Sequence, residues 1–199
     1  MSIQSEINRI SSEVETQADL IEQIKTALIG KVGGGGGNID ELINRTITEV
    51  SSNSEAIGDY VFYGCTRLES ITLPMAESIR GNAFYNCVAL KSVEVPNVTS
   101  IGDSAFRLCA VLPSIDLPLT TSISSNAFRN CNKLQSIILR SETVCTLGTN
   151  VFTSTPIASG TGYIYVPSAL VDSYKSETNW ATYAAQIRAI EDYPEIIGG

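Results

Sequence analysis

Histidine is absent from this chain of 199 residues, which excludes Ser-His-Asp and Cys-His catalytic pairs, H-E-x-x-H zinc sites, two-His iron sites and histidine-based pH switches. Charge is scarce as well: 17% of residues are charged, and 13 Lys+Arg against 21 Asp+Glu leave a formal net charge of −8. Phosphate backbones and anionic lipid headgroups both need clustered Lys/Arg, so neither nucleic acid nor a membrane surface is an expected partner. No stretch approaches the ~18 consecutive apolar residues that a bilayer span needs, so no membrane insertion is expected. The start, Met1-Ser2-Ile3-Gln4-Ser5-Glu6, has no basic region leading into an apolar run and predicts no secretory signal peptide. The five cysteines are odd in number, and none forms a C-x-x-C pair. That count speaks against a disulfide framework and for assembly in a reducing cytosol. Polar surface comes instead from 23 Ser, 17 Thr and 12 Asn.

The first thirty residues carry a heptad pattern. With Ile7, Val14, Ile21 and Leu28 at a, the d positions are Ile3, Ile10, Gln17 and Ile24, and only Gln17 is polar. This spacing predicts a coiled-coil helix over 1–30. Isoleucine at both a and d disfavours two strands, so a parallel homotrimer is expected, with Gln17 fixing register. An amphipathic helix packed on the chain's own core is the alternative. Gly33 to Gly37 hold five of the 15 glycines, which makes 31–38 a flexible linker and a boundary.

From residue 56 onward the sequence repeats. The units AIGDYVFYGCTRLESITLPMAE, SIRGNAFYNCVALKSVEVPNVT, SIGDSAFRLCAVLPSIDLPLTT and SISSNAFRNCNKLQSIILRSET align in columns that step by 22 residues: Phe62, Phe84, Phe106, Phe128; Cys65, Cys87, Cys109, Cys131; Leu68, Leu90, Leu112, Leu134. A degenerate fifth unit begins near Leu147, keeps Phe152 and ends in Tyr163-Ile164-Tyr165-Val166-Pro167. A fixed period of this length predicts a solenoid with one short strand per coil, a turn at Pro and a return segment carrying Ala-Phe. Strand alternation places Ile71, Leu73 and their equivalents inward. The Phe column and the column Ile57, Ile79, Ile101, Ile123, Leu147 fill the core behind them.

The motif Ile-Gly-x-x-Ala-Phe-x-x-Cys-x-x-Leu-x-x-Ile-x-Leu-Pro, in register over residues 56–167, closely resembles the BspA-like, or TpLRR-type, leucine-rich repeat. The resemblance implies an α+β repeat fold, a short right-handed leucine-rich-repeat solenoid of about 4–5 coils, here between an N-terminal coiled-coil helix and a C-terminal helical cap. It also implies a non-enzymatic binding or adhesion scaffold of the kind found on bacterial surfaces and in phages. A short array behind a coiled coil looks like a tail-fibre or receptor-binding component of a phage or prophage. Such a protein is made in the cytoplasm and leaves inside a virion, or reaches the cell surface without a signal peptide. The partner is then a bacterial or host cell-surface protein or glycan. A structural or assembly spacer and a BspA-like surface adhesin binding host proteins are the alternatives.

The expected solenoid unit, 39–167, includes a front cap: a short helix over 39–44 and an irregular strand over 46–50. A C-terminal cap and tail fill 168–199. There Ser168 is the expected N-cap of a helix over 169–175, and a second helix spans Trp180 to Ile190 with Tyr183, Ile187 and Ile190 on one face. Trp180 is expected in the capping core, while Tyr193-Pro194 and the terminal glycines are expected to fray.

Chemistry has few places to sit, and no cofactor or metal site is expected. A parallel cysteine column cannot form a tetrahedral zinc site or good disulfides; its thiols read as small buried groups bonding backbone carbonyls, with Cys145 outside the column as the exposed thiol. The outward strand positions Thr72, Glu94, Asp116, Ile138 and Tyr165 vary beside the uniform Ser70, Ser92, Ser114, Ser136 and Tyr163. Thr72, Glu94, Asp116, Ile138, Tyr163 and Tyr165 are therefore the candidate binding face. Glu94 and Asp116, ~5 Å apart on adjacent coils, match the carboxylate separation of a retaining glycosidase. An open face with nothing to raise one pKa favours cation or sugar-hydroxyl binding over catalysis. Tyr163 and Tyr165 either stack on a sugar or cover the last coil. The return-segment positions Tyr63, Tyr85, Arg107 and Arg129 read as solvated turn residues or, alternatively, as an aromatic-to-basic stripe on the opposite face.

Overall fold

The structure, a computed structural model, describes residues 49–51 and 55–197. The heptad residues Ile3, Ile7, Ile10, Val14, Gln17, Ile21, Ile24 and Leu28, the glycine run and the expected front helix lie outside the described residues.

Among the described residues twelve short strands follow one another: β1 (Glu49–Ser51), β2 (Ala56–Ile57), β3 (Ser70–Thr72), β4 (Ser78–Ile79), β5 (Ser92–Glu94) and β6 (Ser100–Ile101). They continue as β7 (Ser114–Leu117), β8 (Ser122–Ile123), β9 (Ser136–Leu139), β10 (Thr146–Leu147), β11 (Tyr163–Val166) and β12 (Ile187–Ala189). Every ladder is parallel, as it must be when each coil returns to the same starting edge. The even-numbered strands from β2 to β10 form one five-stranded sheet. On the other side β1, β3 and β5 pair, and β7, β9, β11 and β12 pair. Registers step by one repeat: Ile71 faces Val93, Ile79 faces Ile101, and Ile115 faces Ile137.

The front ladder breaks between β5 and β7 for a covalent reason. Lys91 donates its N–H to the Glu69 carbonyl (2.7 Å), Gln135 to the Pro113 carbonyl (2.8 Å) and Tyr163 to the Gln135 carbonyl (2.8 Å). The same repeat position in the third coil is Pro113, which has no N–H to give to Lys91.

Between the ladders the core is a stack of identical layers. Phe62, Phe84, Phe106, Phe128 and Phe152 lie face over face, with centroid separations of 5.0, 5.1, 5.4 and 6.2 Å and interplanar angles of 9° or less. Around them Ile57, Ile79, Ile101 and Ile123, the leucine column and the inward strand residues are buried. Each coil also turns twice through positive φ: at Tyr60, Asn82, Ser104, Asn126 and Asn150, and again at Gly64, Asn86, Leu108, Asn130 and Ser154. Asparagine and glycine recur there because they tolerate the left-handed region best.

The C-terminal cap departs from the expected two helices. Ser168–Leu170 is a 3-10 turn whose N-cap position is Pro167; Ser168 makes no side-chain cap and gives its N–H to a Glu191 carboxylate oxygen at 2.9 Å. Helix α1 covers Val171–Ser176. The segment expected as one helix from Trp180 to Ile190 splits into a 3-10 stretch, Ala181–Gln186, and strand β12, which pairs with β11. An uncovered last strand would leave a row of unpaired backbone groups, and completing that ladder outweighs the helical pattern. The tail continues through helix α2, Pro194–Ile197, and Tyr193 packs edge-on against Tyr165 (5.0 Å, 71°) instead of fraying. Trp180 is buried as expected, closing the aromatic stack 6.1 Å from Phe152 and donating from Nε1 to the Cys145 carbonyl at 2.6 Å.

Candidate functional site

The front strands alternate inward and outward, as the four-residue β7 and β9 show with Ile115, Leu117, Ile137 and Leu139 buried. Their outward side chains therefore form one surface. Thr72 and Glu94 meet on it, the Thr72 hydroxyl donating to Glu94 Oε2 at 3.2 Å. Asp116 turns to the next coil and accepts two bonds from Arg140 Nε (3.1 and 2.9 Å), with Nη2 at 2.8 Å. Glu94 and Asp116 stand on the two strands that do not ladder, and each is engaged with a different partner. The arrangement lacks the paired, unshared carboxylates that glycoside chemistry uses. Ile138 is half-buried, and Tyr163 stays exposed with the Arg188 guanidinium 4.9 Å over its ring.

Tyr165 does not belong to this surface. It is 7% exposed, because β12 and Tyr193 close over the last coil. Arg140 and Arg188 were not among the expected face residues. One signal for Arg140 was present: the position after the inward Leu or Val is Pro74, Pro96 and Pro118 in three coils and Arg140 in the fourth. Arg140 Nη2 also donates to the Ile196 carbonyl at 2.8 Å, tying helix α2 to the solenoid.

The cysteine column behaves as a set of buried donors. Cys87, Cys109 and Cys131 give their S–H to the carbonyls of Phe62, Phe84 and Phe106 one coil back (3.0, 3.3 and 3.0 Å). Burial, and for Cys87 and Cys109 the neighbouring thiols, push their pKa values above the ordinary 9.0; Cys131 reaches about 12. Cys145, expected to be exposed, is buried as well: its N–H donates to the Tyr174 hydroxyl at 2.9 Å, Trp180 covers its carbonyl, and burial raises its thiol to about 12. The cap, invisible to the repeat pattern, is what hides it. Among the described residues no group of three or more His, Cys, Asp or Glu side chains is placed to hold a metal ion.

On the return segment the residues after the first three Phe form a second, outer stack. Tyr63 lies over Tyr85 (4.9 Å, 5°), Tyr60 leans on Tyr63 (5.7 Å, 48°), and Arg107 sits 5.5 Å over the other face of Tyr85. Arg129 follows on the next coil, its Nη1 3.4 Å from Asn126 Oδ1. The aromatic-to-basic stripe is thus stacked side chain on side chain from Tyr63 to Arg107.

Parallel ladders, one buried aromatic per coil and a 22-residue step define a leucine-rich-repeat solenoid. The BspA type leucine-rich repeat region matches residues 42–162 in six copies, and the chain belongs to that family. Its six copies extend ahead of the four regular units, into the segment expected as a front cap. No curated protein matches the chain. Among solved structures, the leucine-rich repeat protein TpLRR of T. pallidum is similar, with a TM-score of 0.53, 23% identity, and coverage of 61% of this chain and 58% of that one. A leucine-rich repeat protein of Bacteroides ovatus gives 0.49 at 23% identity, over 71% of this chain and 42% of that one. A leucine-rich cell surface protein of Faecalibacterium prausnitzii gives 0.44 at 24%, over 71% and 31%. The chain thus spans little more than half the length of the first of these, and less of the others.

Proposed function

We propose that this protein is a non-enzymatic binding and display protein. The observation that carries the reading is the contrast between the two sides of each coil: the inward columns repeat Phe, Cys, Leu and Ile, while the outward column Thr72, Glu94, Asp116, Ile138 changes from coil to coil beside a column of Ser. A scaffold needs a constant inside, and a surface selected for a partner needs a varied outside. The partner is a cell-surface protein or glycan of a bacterium or host, engaged by a tail-fibre-like component of a phage or prophage. Residues 1–30 form a homotrimeric coiled-coil stalk that presents three solenoid heads through the glycine linker. Three linked heads need only modest affinity each, because the second and third binding events are intramolecular.

The test uses fluorescently labelled full-length protein on whole bacterial cells. Saturable staining, competed by unlabelled protein and weakened by Glu94→Ala with Asp116→Ala, is the expected result; absence of saturable staining on any cell type leaves the structural-spacer role in its place. Analytical ultracentrifugation is expected to give three chains for the full length and one for a chain starting at Asn38. A full-length monomer would rule out the stalk.

A further inference from the structure

The Tyr63–Tyr85–Arg107 stack, with Arg129 on the next coil, carries an assignment of its own. Among the described residues two cations form ion pairs, Lys91 with Glu69 and Arg140 with Asp116. Among the described residues neither Arg107 nor Arg129 has a carboxylate within ion-pair distance. Instead the Arg107 guanidinium rests on the Tyr85 ring, and the Nε atoms of both arginines are buried with no acceptor among the described residues. Stacking holds the guanidinium flat and leaves its N–H groups unspent, which suits it to carboxylate and sulfate oxygens.

We propose that this outer stack is a binding site for an acidic polysaccharide, in which Arg107 and Arg129 take sugar carboxylates and the Tyr63 and Tyr85 hydroxyls bond the adjoining sugar hydroxyls. The assignment rests on the binding role proposed above and adds to it a second surface, apart from the front strand face, with a ligand class of its own. A peptide fits less well, because the backbone of the segment is already spent between coils. Gly64, Asn86, Leu108 and Asn130 donate their N–H groups to the carbonyls of Tyr85, Arg107, Arg129 and Thr153 at 2.8, 2.8, 3.0 and 2.9 Å, leaving no edge for an added strand. Nucleic acid fits less well too: two cations on an acidic protein release few of the counterions that drive phosphate-backbone binding.

The experiment measures binding of the full-length protein to immobilised polygalacturonate, with neutral dextran and poly-glutamate as comparators, at low and at physiological salt. Binding to polygalacturonate above both comparators, weakened by salt and reduced at least tenfold in Arg107→Gln/Arg129→Gln, is expected. The thermal melt of each variant shows that the solenoid is intact. Undiminished binding by the arginine variant, equal binding to dextran, or stronger binding to poly-glutamate overturns the assignment. If the arginine variant melts early, Tyr63→Ala, at the exposed end of the stack, replaces it under the same criterion. Cell staining that survives the arginine substitutions overturns this site and leaves the binding role standing; loss of all staining with polygalacturonate binding intact does the reverse.

Discussion

Phe106 has a ring on either side, Phe84 at 5.1 Å and Phe128 at 5.4 Å, and no route by which the stack can collapse around a missing member. Phe106→Ala is therefore expected to cost about 3–5 kcal/mol, read from a shift in the urea midpoint. Gly102 marks a different limit. A Cβ there would meet the Arg80 carbonyl carbon at 2.5 Å and the Gly81 nitrogen at 2.6 Å, both backbone atoms of the preceding coil. Gly102→Ala should destabilise by about 1–3 kcal/mol through overpacking, visible in the same measurement. The buried thiols add a pH dependence. Cys131 and Cys145, held protonated by burial to about 12, ionise from 9.0 once unfolded. Their raised folded pKa values mean that this contribution is complete below pH 9 and is lost as the pH climbs toward 12. Denaturant titrations across that window should show stability falling, and Cys131→Ala should remove up to about 1.4 kcal/mol per pH unit from the slope.

At the scale of elements, the weak junction is the one between β5 and β7. Pro113 is exposed, so Pro113→Gln, the residue that occupies the equivalent place as Gln135, restores an N–H facing Lys91 without touching the core. A gain of about 0.5–1.5 kcal/mol is expected, together with slower amide exchange in β5 and β7. The tail is a second element-level case. Arg140 joins Asp116 to the Ile196 carbonyl, but the ion pair is partly exposed, so its worth to global stability is at most about 1 kcal/mol. Arg140→Ala should leave the melting temperature nearly unchanged while cleavage after Glu195 by a glutamyl endopeptidase accelerates. Equal cleavage rates would show that Tyr165 alone holds the tail.

For the molecule as a whole, a solenoid has no closed core, so its ends decide how long it is and what it shows. The back end is finished by Trp180, Tyr183 and β12, which cover Phe152 and pair the last strand. A chain ending at Pro167 would lose these covers together and expose β11 along its edge; it is expected to aggregate, as size-exclusion chromatography against the full length would show. The solenoid shows two surfaces: a front face where Glu94 and Asp116 are partnered by Thr72 and Arg140, and a return segment where Arg107 rests on Tyr85.

The repeat columns were legible from residues alone because each buried side chain needs only the copy of itself one coil away. A 22-residue step with Phe, Cys, Leu and Ile in place already dictates the parallel ladders, the aromatic stack and the buried thiols of Cys87, Cys109 and Cys131. What the period does not contain, only the tertiary structure decided. Cys145 is closed over by Tyr174 and Trp180 from 29 and 35 residues away, and Arg140 reaches a carbonyl 56 residues on. These contacts occur once, so no column announces them. The same holds for Tyr165, which follows the outward alternation of its strand and is nevertheless buried by a tail that the alternation cannot foresee. Periodic burial is a local property of the sequence, whereas the closure of a solenoid's end depends on where a distant segment finds unpaired backbone to cover.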